Sequence, residues 1–364
     1  MLARRWVACT AVAAALISTG GCADGTGTAA APVPDRGTVG LAMPTKSSER
    51  WIGDGENMVR QFELLGYRTD MQYADDDVQK QVEQIDEMVD NKVRALVIGA
   101  IDGTALKAVL AKAAAADIPV IAYDRLIRDS GDVDYYATFD NYKVGVQQGG
   151  AIVEALKLRD GEGSYNLELF AGSPDDNNAT FFFNGAMSVL KPYISSGRLE
   201  VRSGETTFTE VATMRWDAAV AQKRMERLLR GDYGQARVDA VLSPYDGISR
   251  GILTALEADG YGSKGRKLPV LTGQDAELDS VKLIAAGKQT ETVYKDTREL
   301  AKVAVQMTNA LLIDEKPMIN DTEQYHNGVE VVPTFLLQPV NVDLSNYERV
   351  LVDGGYYTAA QVRS

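Results

Sequence analysis

The sequence predicts an α/β protein built from two doubly wound halves. Short apolar runs alternate with segments of helical periodicity from residue 37 onward, and this alternation forms two series of similar length. Polar residues recur where the apolar runs end, as they do at ligand sites of open parallel sheets. The length of 364 residues exceeds one typical domain, and the 45% hydrophobic content is ample for a core. We therefore expect two parallel sheets covered by helices.

The first series occupies residues 37–141. The apolar run 39–43 predicts a buried strand, and Ser47 or Ser48 can cap the helix after it, which Gly66 closes. Further strands are predicted over 67–74, 94–101, 118–124 and 132–141, with helices over 74–93 and 105–116. Asp76 or Asp77 stands where the N-cap of the second helix belongs.

The second series begins at Val144. Helices are predicted from there to about Leu158 and over 173–194, 214–230, 247–260, 280–287 and 297–313. Strands are predicted over 164–172, 199–205, 238–246, 268–276 and 289–296. The last strand–helix pair, the segment 333–340 and the residues after it are a surplus of the kind that chain crossovers require. We expect an N-terminal lobe of 37–141 plus 294–331 and a C-terminal lobe of 142–293 plus 332–364.

The first residues predict an export signal. Residues 1–21 have a basic start and a short apolar stretch that ends in small residues, which is typical of a signal peptide. Cys22 follows two glycines and resembles the acylated cysteine of the bacterial lipoprotein box, although Thr19 replaces the usual leucine. We expect residues 22–36 to be a lipidated flexible tether that anchors the protein to the outer face of the cell membrane. The alternative is an ordinary signal peptide with an incidental cysteine.

Composition excludes several classes of function. The formal net charge of −13 disfavours nucleic acid and anionic membranes as partners. His326 is the single histidine, so histidine-based triads and metal sites are largely excluded, and phosphate-binding glycine motifs are missing. Asp124 and Asp275 could form the carboxylate pair of a glycosidase, but Arg125 and Lys295 would keep both ionised. We expect a monomer without cofactor, metal or enzymatic activity.

The residues at the predicted strand ends form the candidate site. Asp124 and Arg125 follow the buried strand 119–123, and a carboxylate beside a guanidinium suits the adjacent hydroxyls of a sugar. The alternative for this pair is a surface ion pair that caps the strand, and asparagine or aspartate at such positions also belongs in ordinary turns. The other polar candidates at strand ends are Arg50, Asn141, Asn177, Asn178, Asp246, Gln274, Asp275 and Lys295.

Two tryptophans could pack against the apolar face of a sugar ring. Trp216 stands between Arg215 and Asp217 at a predicted loop-to-helix boundary, which favours a ligand contact. Trp51 lies in the first helix, where a place in the core is an equal alternative.

Long motifs identify the family that the chain resembles. VGLAMPTKSSERW, QYADDD, IPVIAYDRLIRDSGDVDYYATFDN, GSPDDNNA, VDAVLSPYDG, TGQDA and VYKDTRELA resemble the periplasmic multiple-monosaccharide-binding proteins of the ChvE type and, more distantly, xylose-binding proteins. The resemblance implies the type I periplasmic-binding-protein fold, with two Rossmann-like lobes, a three-segment hinge and a cleft for one pyranose. It implies sugar contacts from Arg50, Asp124 and Arg125, from Asn177, Asn178, Asp275 and Lys295, and stacking by Trp216. Lys46 and Glu168 are further candidates, whereas a contact at Tyr245 is left open.

The resemblance also implies partners. It predicts a receptor that delivers xylose, glucose, galactose or arabinose to the permease and ATPase of an ABC importer. An alternative is a receptor that presents the bound sugar to a membrane sensor kinase or chemoreceptor. Sugar-dependent transcription regulators share this fold, but they carry an N-terminal helix-turn-helix where this chain has a signal peptide.

Overall fold

The chain forms two parallel sheets, each packed between helices. The computed structural model describes residues 35–161, 163–234, 236–263 and 265–364. The strands are β1 Thr38–Met43, β2 Arg68–Tyr73, β3 Leu96–Ile98, β4 Val120–Tyr123, β5 Tyr135–Phe139, β6 Tyr165–Leu169, β7 Leu199–Glu200, β8 Ala240–Leu242, β9 Val270–Leu271, β10 Glu291–Tyr294, β11 Thr334–Leu337 and β12 Val340–Asp343. The helices are α1 Glu49–Leu64, α2 Val78–Asp90, α3 Lys107–Ala115, α4 Asn141–Ala155, α5 Asn177–Ser195, α6 Phe208–Val211, α7 Ala218–Leu228, α8 Asp246–Ala258, α9 Leu278–Ala285, α10 Thr297–Leu312 and α11 Ala359–Arg363.

The first sheet is parallel throughout, in the order β11-β5-β4-β3-β1-β2. Strand β4 shows how it is buried on both faces. Val120 and Ala122 pack toward α2 and α3, whereas Ile121 and Tyr123 pack toward α1 and α10. A strand apolar on both faces reads as a continuous hydrophobic run, and for this reason the sequence alone predicts it.

The second sheet has the order β7-β6-β8-β9 and is also parallel. Helices α4 and α5 cover one face, and α7 and α8 cover the other. Strands β10 and β12 form an antiparallel pair beside it, which a bridge between Gln274 and Val293 connects to the end of the β9 segment. The predicted fold class, two parallel-sheet α/β halves, is confirmed.

The chain passes between the two halves three times, after β5, after β10 and after β11. Strand β11 pairs with β5 in the first sheet, with Thr334 opposite Tyr136. The predicted boundary between 331 and 332 therefore lies too early, because the last crossing falls between Leu337 and Val340. A single extended run over 333–340 conceals this crossing in the sequence. The rest of the lobe division stays a prediction.

The region around residue 216 differs from its prediction. The predicted helix 214–230 is divided into a 3₁₀ turn, Met214–Trp216, and α7, which begins at Ala218. The Asp217 carboxylate caps α7 by accepting a hydrogen bond from the Ala219 amide at 2.7 Å. The predicted strand 199–205 is limited to Leu199–Glu200.

The predicted signal peptide, Cys22 and nearly all of the predicted tether lie outside the described residues. Within the described ranges, no helix is long and apolar enough to cross a membrane.

Candidate functional site

A cleft lies between the carboxyl ends of the two parallel sheets, where ligands of such folds bind. Its empty volume is about 570 Å³ including the solvent-open mouth, within the range of small-molecule sites, ~300–1,000 Å³. The lining residues are Thr45, Ser47, Ser48, Arg50, Trp51, Asp76, Asp124, Arg125, Asp176, Asn178, Phe182, Arg215, Trp216, Tyr245, Gln274, Asp275 and Lys295. Both halves of the chain therefore contribute to one cleft.

Four buried charges form the centre of the cleft. Arg50 Nη2 lies 3.0 Å from Asp124 Oδ1, and Arg50 Nη1 lies 3.6 Å from Asp275 Oδ1. Lys295 Nζ lies 3.0 Å from Asp275 Oδ1 and 3.8 Å from Asp124 Oδ1. Each carboxylate thus faces both cations, so this cluster combines strong donors with strong acceptors.

The cluster keeps Asp124 ionised. Burial raises the pKa of the Asp124 carboxyl, but the charges of Arg50, Lys295 and Arg125 outweigh this effect and hold the pKa below its usual value. Burial lowers the pKa of Arg50, but Asp124, Asp54 and Asp275 together hold it well above its ordinary value. Asp124 is therefore an acceptor at neutral pH, not a general acid.

Several buried polar atoms of the cleft have no hydrogen-bond partner among the described residues. They are Asp124 Oδ1, Asp275 Oδ1, Gln274 Oε1 and Trp216 Nε1. Asp124 Oδ1 is close to Arg50 Nη2 in distance, but the two atoms lack hydrogen-bond geometry. Buried polar atoms are normally satisfied, so this set of three acceptors and one donor indicates a polar ligand.

The backbone of Asp124 is fixed with unusual care. Its φ of 60° lies in the left-handed region, which is uncommon for a residue other than glycine. Its carbonyl accepts hydrogen bonds from Tyr136 Oη at 2.6 Å, Thr138 Oγ1 at 2.9 Å and Asn178 Nδ2 at 2.7 Å. These bonds compensate for the backbone strain and direct the carboxylate into the cleft.

Left-handed backbone is concentrated around the cleft. Besides Asp124, the lining residues Asp76, Arg215, Trp216 and Asp275 have φ values of 63°, 55°, 58° and 88°. Such conformations cost about 1–3 kcal/mol each and persist where the surroundings enforce them. Their clustering here is typical of a binding site.

A second layer positions Arg50. The Asp54 carboxylate accepts hydrogen bonds from Arg50 Nε at 3.1 Å and Nη2 at 2.9 Å, and from Tyr123 Oη at 2.7 Å. Arg50 and Asp54 are four residues apart on α1, so they lie on the same face of the helix. Burial raises the pKa of Asp54 to about 6 although Arg50 opposes this shift.

Arg125 and Asn178 connect the two halves. Arg125 Nε lies 3.1 Å from Asp176 Oδ2, and Arg125 Nη1 donates to the Ala100 carbonyl at 3.1 Å. Asn178, from α5, donates to the Asp124 carbonyl and accepts from Tyr136 and from Asn141 Nδ2 at 2.9 Å. These residues therefore hold the strand ends together across the cleft.

Aromatic rings form two walls. Trp51 is buried against Gly99 and lies beneath the guanidinium of Arg50, 4.5 Å from its ring centroid. Trp216 makes edge-to-face contacts with Phe182 and Tyr245, at centroid distances of 6.2 and 6.1 Å. Such rings suit the C–H face of a sugar.

Trp216 can occupy its place because residue 172 is glycine. A Cβ at Gly172 would lie 2.0 Å from the Trp216 ring, far inside van der Waals contact. The backbone after β6 therefore forms a flat support for the indole.

Seven of the eleven predicted ligand-binding residues line the cleft, namely Arg50, Asp124, Arg125, Asn178, Trp216, Asp275 and Lys295. Their direct contact with a ligand stays a prediction. Trp51 and Gln274, considered more weakly from the sequence, also line it, whereas Asn141 supports Asn178 from behind.

The remaining four lie elsewhere, which contradicts their prediction as lining residues. Asp246 is fully buried and accepts from Gln289 Nε2, Thr292 Oγ1 and the Glu277 amide.

The Glu168 carboxylate accepts from Ser203 and Tyr233 within the C-terminal half. The Lys46 ammonium lies over the Tyr73 ring at the exposed surface, and half-buried Asn177 is absent from the lining. Each of these four stands near a strand end or a helix start in the sequence, but the local geometry turns its side chain away.

Sequence reasoning missed Asp176, Phe182 and Arg215 as lining residues and left Tyr245 open. Asp176 caps α5 through a hydrogen bond from the Asn178 amide, and burial raises the pKa of its carboxyl. Its cap pattern was visible in the sequence, but its pairing with Arg125 depends on how the halves meet. Within the described residues, no cluster of three or more histidine, cysteine or acidic side chains could hold a metal ion.

The comparisons with known proteins agree with this geometry. The model of the periplasmic binding protein domain family matches residues 39–316. The multiple sugar-binding periplasmic receptor ChvE of Rhizobium radiobacter is 60% identical over 329 residues, covering 90% of this chain and 93% of the receptor. The D-xylose-binding periplasmic protein of Escherichia coli (strain K12) is 35% identical, covering 89% and 92%.

A solved structure extends the likeness to three dimensions. An ABC transporter solute-binding protein from Clostridium phytofermentans with bound β-D-glucose is 47% identical, with a TM-score of 0.86. The match covers 89% of this chain and 99% of that protein. The resemblance predicted from the motifs is confirmed, and so is the type I periplasmic-binding-protein fold.

Proposed function

The chain belongs to the periplasmic binding protein family, whose relatives reported above are sugar-binding proteins and not enzymes, and from this premise we propose that it captures an aldose in the cleft. The observation that carries the proposal is the set of unpartnered buried atoms on Asp124, Asp275, Gln274 and Trp216. A pyranose offers hydroxyls that donate to the three oxygens and accept from the indole N–H.

The charges around these atoms strengthen the proposed contacts. A hydroxyl that donates to Asp124 or Asp275 can accept from Arg50 or Lys295, because each carboxylate oxygen lies 3.0–3.8 Å from these cations. Hydrogen bonds that involve an ionised partner are about twice as strong as neutral ones. The ring itself would pack between the walls of Trp51 and Trp216.

The proposed ligand is one of xylose, glucose, galactose and arabinose. Bound β-D-glucose in the Clostridium relative favours glucose as the first sugar to test, and the xylose-binding relative supports a pentose as the second. We propose that the loaded receptor delivers its sugar to the permease and ATPase of an ABC transporter. The printed description of the Clostridium relative as an ABC transporter protein supports this role.

The experiment is a calorimetric titration of the purified chain from residue 23 onward with each of the four aldoses. We expect saturable 1:1 binding of at least one, and mannitol, an acyclic polyol without a ring, serves as control. Absence of binding for all four, with a folded protein, would refute the proposal. Uptake of the labelled sugar should fall on deletion of the gene, whereas loss of sugar-dependent signalling with normal uptake would favour the sensor alternative.

We also propose that Cys22 carries the lipid anchor. A Cys22→Ser variant should appear in the medium or the soluble fraction, whereas the native protein fractionates with membranes. Mass spectrometry of the native N-terminus that finds no acyl chain contradicts this anchor and leaves the sugar proposal unaffected.

A further inference from the structure

The turn that presents Asp275 is strained. Asp275 and Ala276 both have left-handed φ values, 88° and 48°, and neither is glycine. Two consecutive residues of this kind persist only where neighbouring groups hold them. The position of the Asp275 carboxylate, a central element of the cleft, therefore depends on the groups that hold this turn.

Four hydrogen bonds hold it. The Asp275 amide donates to the Val293 carbonyl at 2.9 Å, and the Ala276 amide donates to Thr292 Oγ1 at 3.1 Å. The Glu277 amide donates to Asp246 Oδ2 at 2.9 Å. The fourth bond comes from a distant part of the chain, because Tyr357 Oη donates to the Ala276 carbonyl at 3.0 Å.

The segment Gly354–Tyr357, which we name the strap, also reaches Lys295. Arg298 Nη1 donates to the carbonyls of Gly354 at 3.2 Å and Gly355 at 2.8 Å. The same guanidinium binds the carboxylate of Asp296, the residue after Lys295, at 2.7 and 2.9 Å. The strap is thus fastened at both members of the Asp275–Lys295 ion pair.

The strap lies directly behind the cleft. A second cavity has Arg50 and Asp275 on one side and the strap residues Tyr356 and Tyr357 on another. Tyr356 Oη lies 3.3 Å from Thr297 Oγ1, and its ring meets that of Tyr294 edge to face at 4.9 Å. The back of the charge cluster therefore rests on the strap.

We propose that the strap positions the Asp275–Lys295 ion pair for sugar, and that the Tyr357 hydroxyl is a positioning residue for this binding. The inference rests on the proposed sugar-binding function. The ring of Tyr357 packs in the apolar cluster of α9, β10 and β12, so the ring itself contributes to stability. The hydroxyl bond to Ala276 is separable from this packing, because phenylalanine keeps the ring.

The test compares Tyr357→Phe with Tyr347→Phe. Tyr347 packs against the same apolar cluster, but its hydroxyl contacts the neighbouring Glu348 at 3.3 Å and not the turn. Glucose affinity, or that of the aldose the native protein binds best, is measured by calorimetry together with the melting temperature of the sugar-free protein. We expect Tyr357→Phe to weaken binding about three- to tenfold, the scale of one hydrogen bond, and Tyr347→Phe to leave it unchanged.

Two further measurements separate positioning from general stability. Amide hydrogen exchange over residues 273–279 should accelerate in Tyr357→Phe without sugar, and should not change in Tyr347→Phe. In an Asp275→Asn background, Tyr357→Phe should weaken binding by less than about twofold, since coupled residues are not additive.

Unchanged affinity and unchanged exchange in a folded Tyr357→Phe protein overturn the strap proposal. An equal loss of affinity in Tyr347→Phe does so too, because it points to general destabilisation of the cluster. If the native protein binds no aldose at all, the proposed function fails. If it binds and Tyr357→Phe binds equally well, only the strap fails.

Discussion

Replacement of Asp124 by asparagine tests the centre of the proposed site with the smallest possible change. Asparagine keeps the size of the side chain and tolerates the left-handed backbone at φ 60°. It removes the charge that Arg50, Lys295 and Arg125 stabilise. The hydrogen bonds to the Asp124 carbonyl are made by the backbone, so they remain in place.

The size of the effect follows from the kind of bond that is lost. A hydrogen bond to a charged group contributes about 1.5–3 kcal/mol, compared with about 1 kcal/mol for a neutral one. Since each 1.4 kcal/mol corresponds to a tenfold change in affinity, the loss of the charge-assisted bond should weaken sugar binding roughly 10- to 150-fold. Asparagine can still accept one weaker bond, so binding should be reduced and not abolished.

Calorimetry at pH 7 with the tightest aldose measures this difference. The matched control is Asp117→Asn, because Asp117 also has a left-handed backbone, with φ 55°, and lies exposed before the same strand β4. The control should bind sugar as the native protein does. An Asp124→Asn protein that is folded and binds within a factor of two of native would refute the central role of this carboxylate.

Three further predictions concern the aromatic wall, pH and lobe closure. Gly172→Ala should displace Trp216 and weaken sugar binding at least as much as Trp216→Ala, about 1–3 kcal/mol, while Gly150→Ala, where a Cβ meets open space, should bind normally; equal calorimetric affinities would contradict this support. Asp54 has a folded pKa of about 6 against an ordinary value of 3.8, so between these values the folded state binds more protons than the unfolded one and stability falls as pH rises. The unfolding free energy of Asp54→Asn relative to native should therefore rise from about pH 4 to 6 in denaturant titrations and level off above, and a flat difference would count against the raised pKa. Saturating sugar should reduce the radius of gyration in small-angle scattering, and an unchanged radius with proven binding would exclude closure.

The sequence predicts the site best where a buried strand ends in a polar pair. Asp124 and Arg125 follow the continuous apolar run of β4, and the sheet topology alone places them at the ligand edge. Asp275 and Lys295 are placed by the same reasoning. These residues lie in the cleft because the backbone fixes the direction of a strand, and the residue after the strand can hardly point elsewhere.

Asp246 shows where this reasoning stops. It follows β8 at the start of α8, in the same local pattern as Asp275 after β9. Its side chain turns inward beneath Gly273, where a Cβ would lie 2.1 Å from Asp246 Oδ1, and its hydrogen bonds support the turn after Asp275. Burial raises the pKa of Asp246 well above its usual value. Which of two aspartates faces the ligand is decided by this packing, and local sequence does not encode it.

Residues that act across the cleft are equally hidden from the sequence. Ser48 Oγ donates to Glu277 Oε1 at 2.9 Å, and Tyr245 Oη donates to the same oxygen at 2.6 Å. Ser48 reads as a helix cap and Glu277 as a helix start, and neither pattern indicates that they meet. Such contacts become visible only when the two halves are brought together.

These cross-cleft contacts bear on how affinity is set. Arg125–Asp176, Asn178–Asp124 and Ser48–Glu277 join the halves through protein groups alone. A sugar shifts the balance between open and closed forms only by its preference for the closed one, and its apparent affinity is reduced by the fraction of protein that is not closed. The protein contacts raise the closed fraction, and the unpartnered atoms of Asp124, Asp275, Gln274 and Trp216 supply the preference. Affinity and selectivity are therefore carried by different residues, so a change in the cross-cleft bonds should alter binding of every aldose alike.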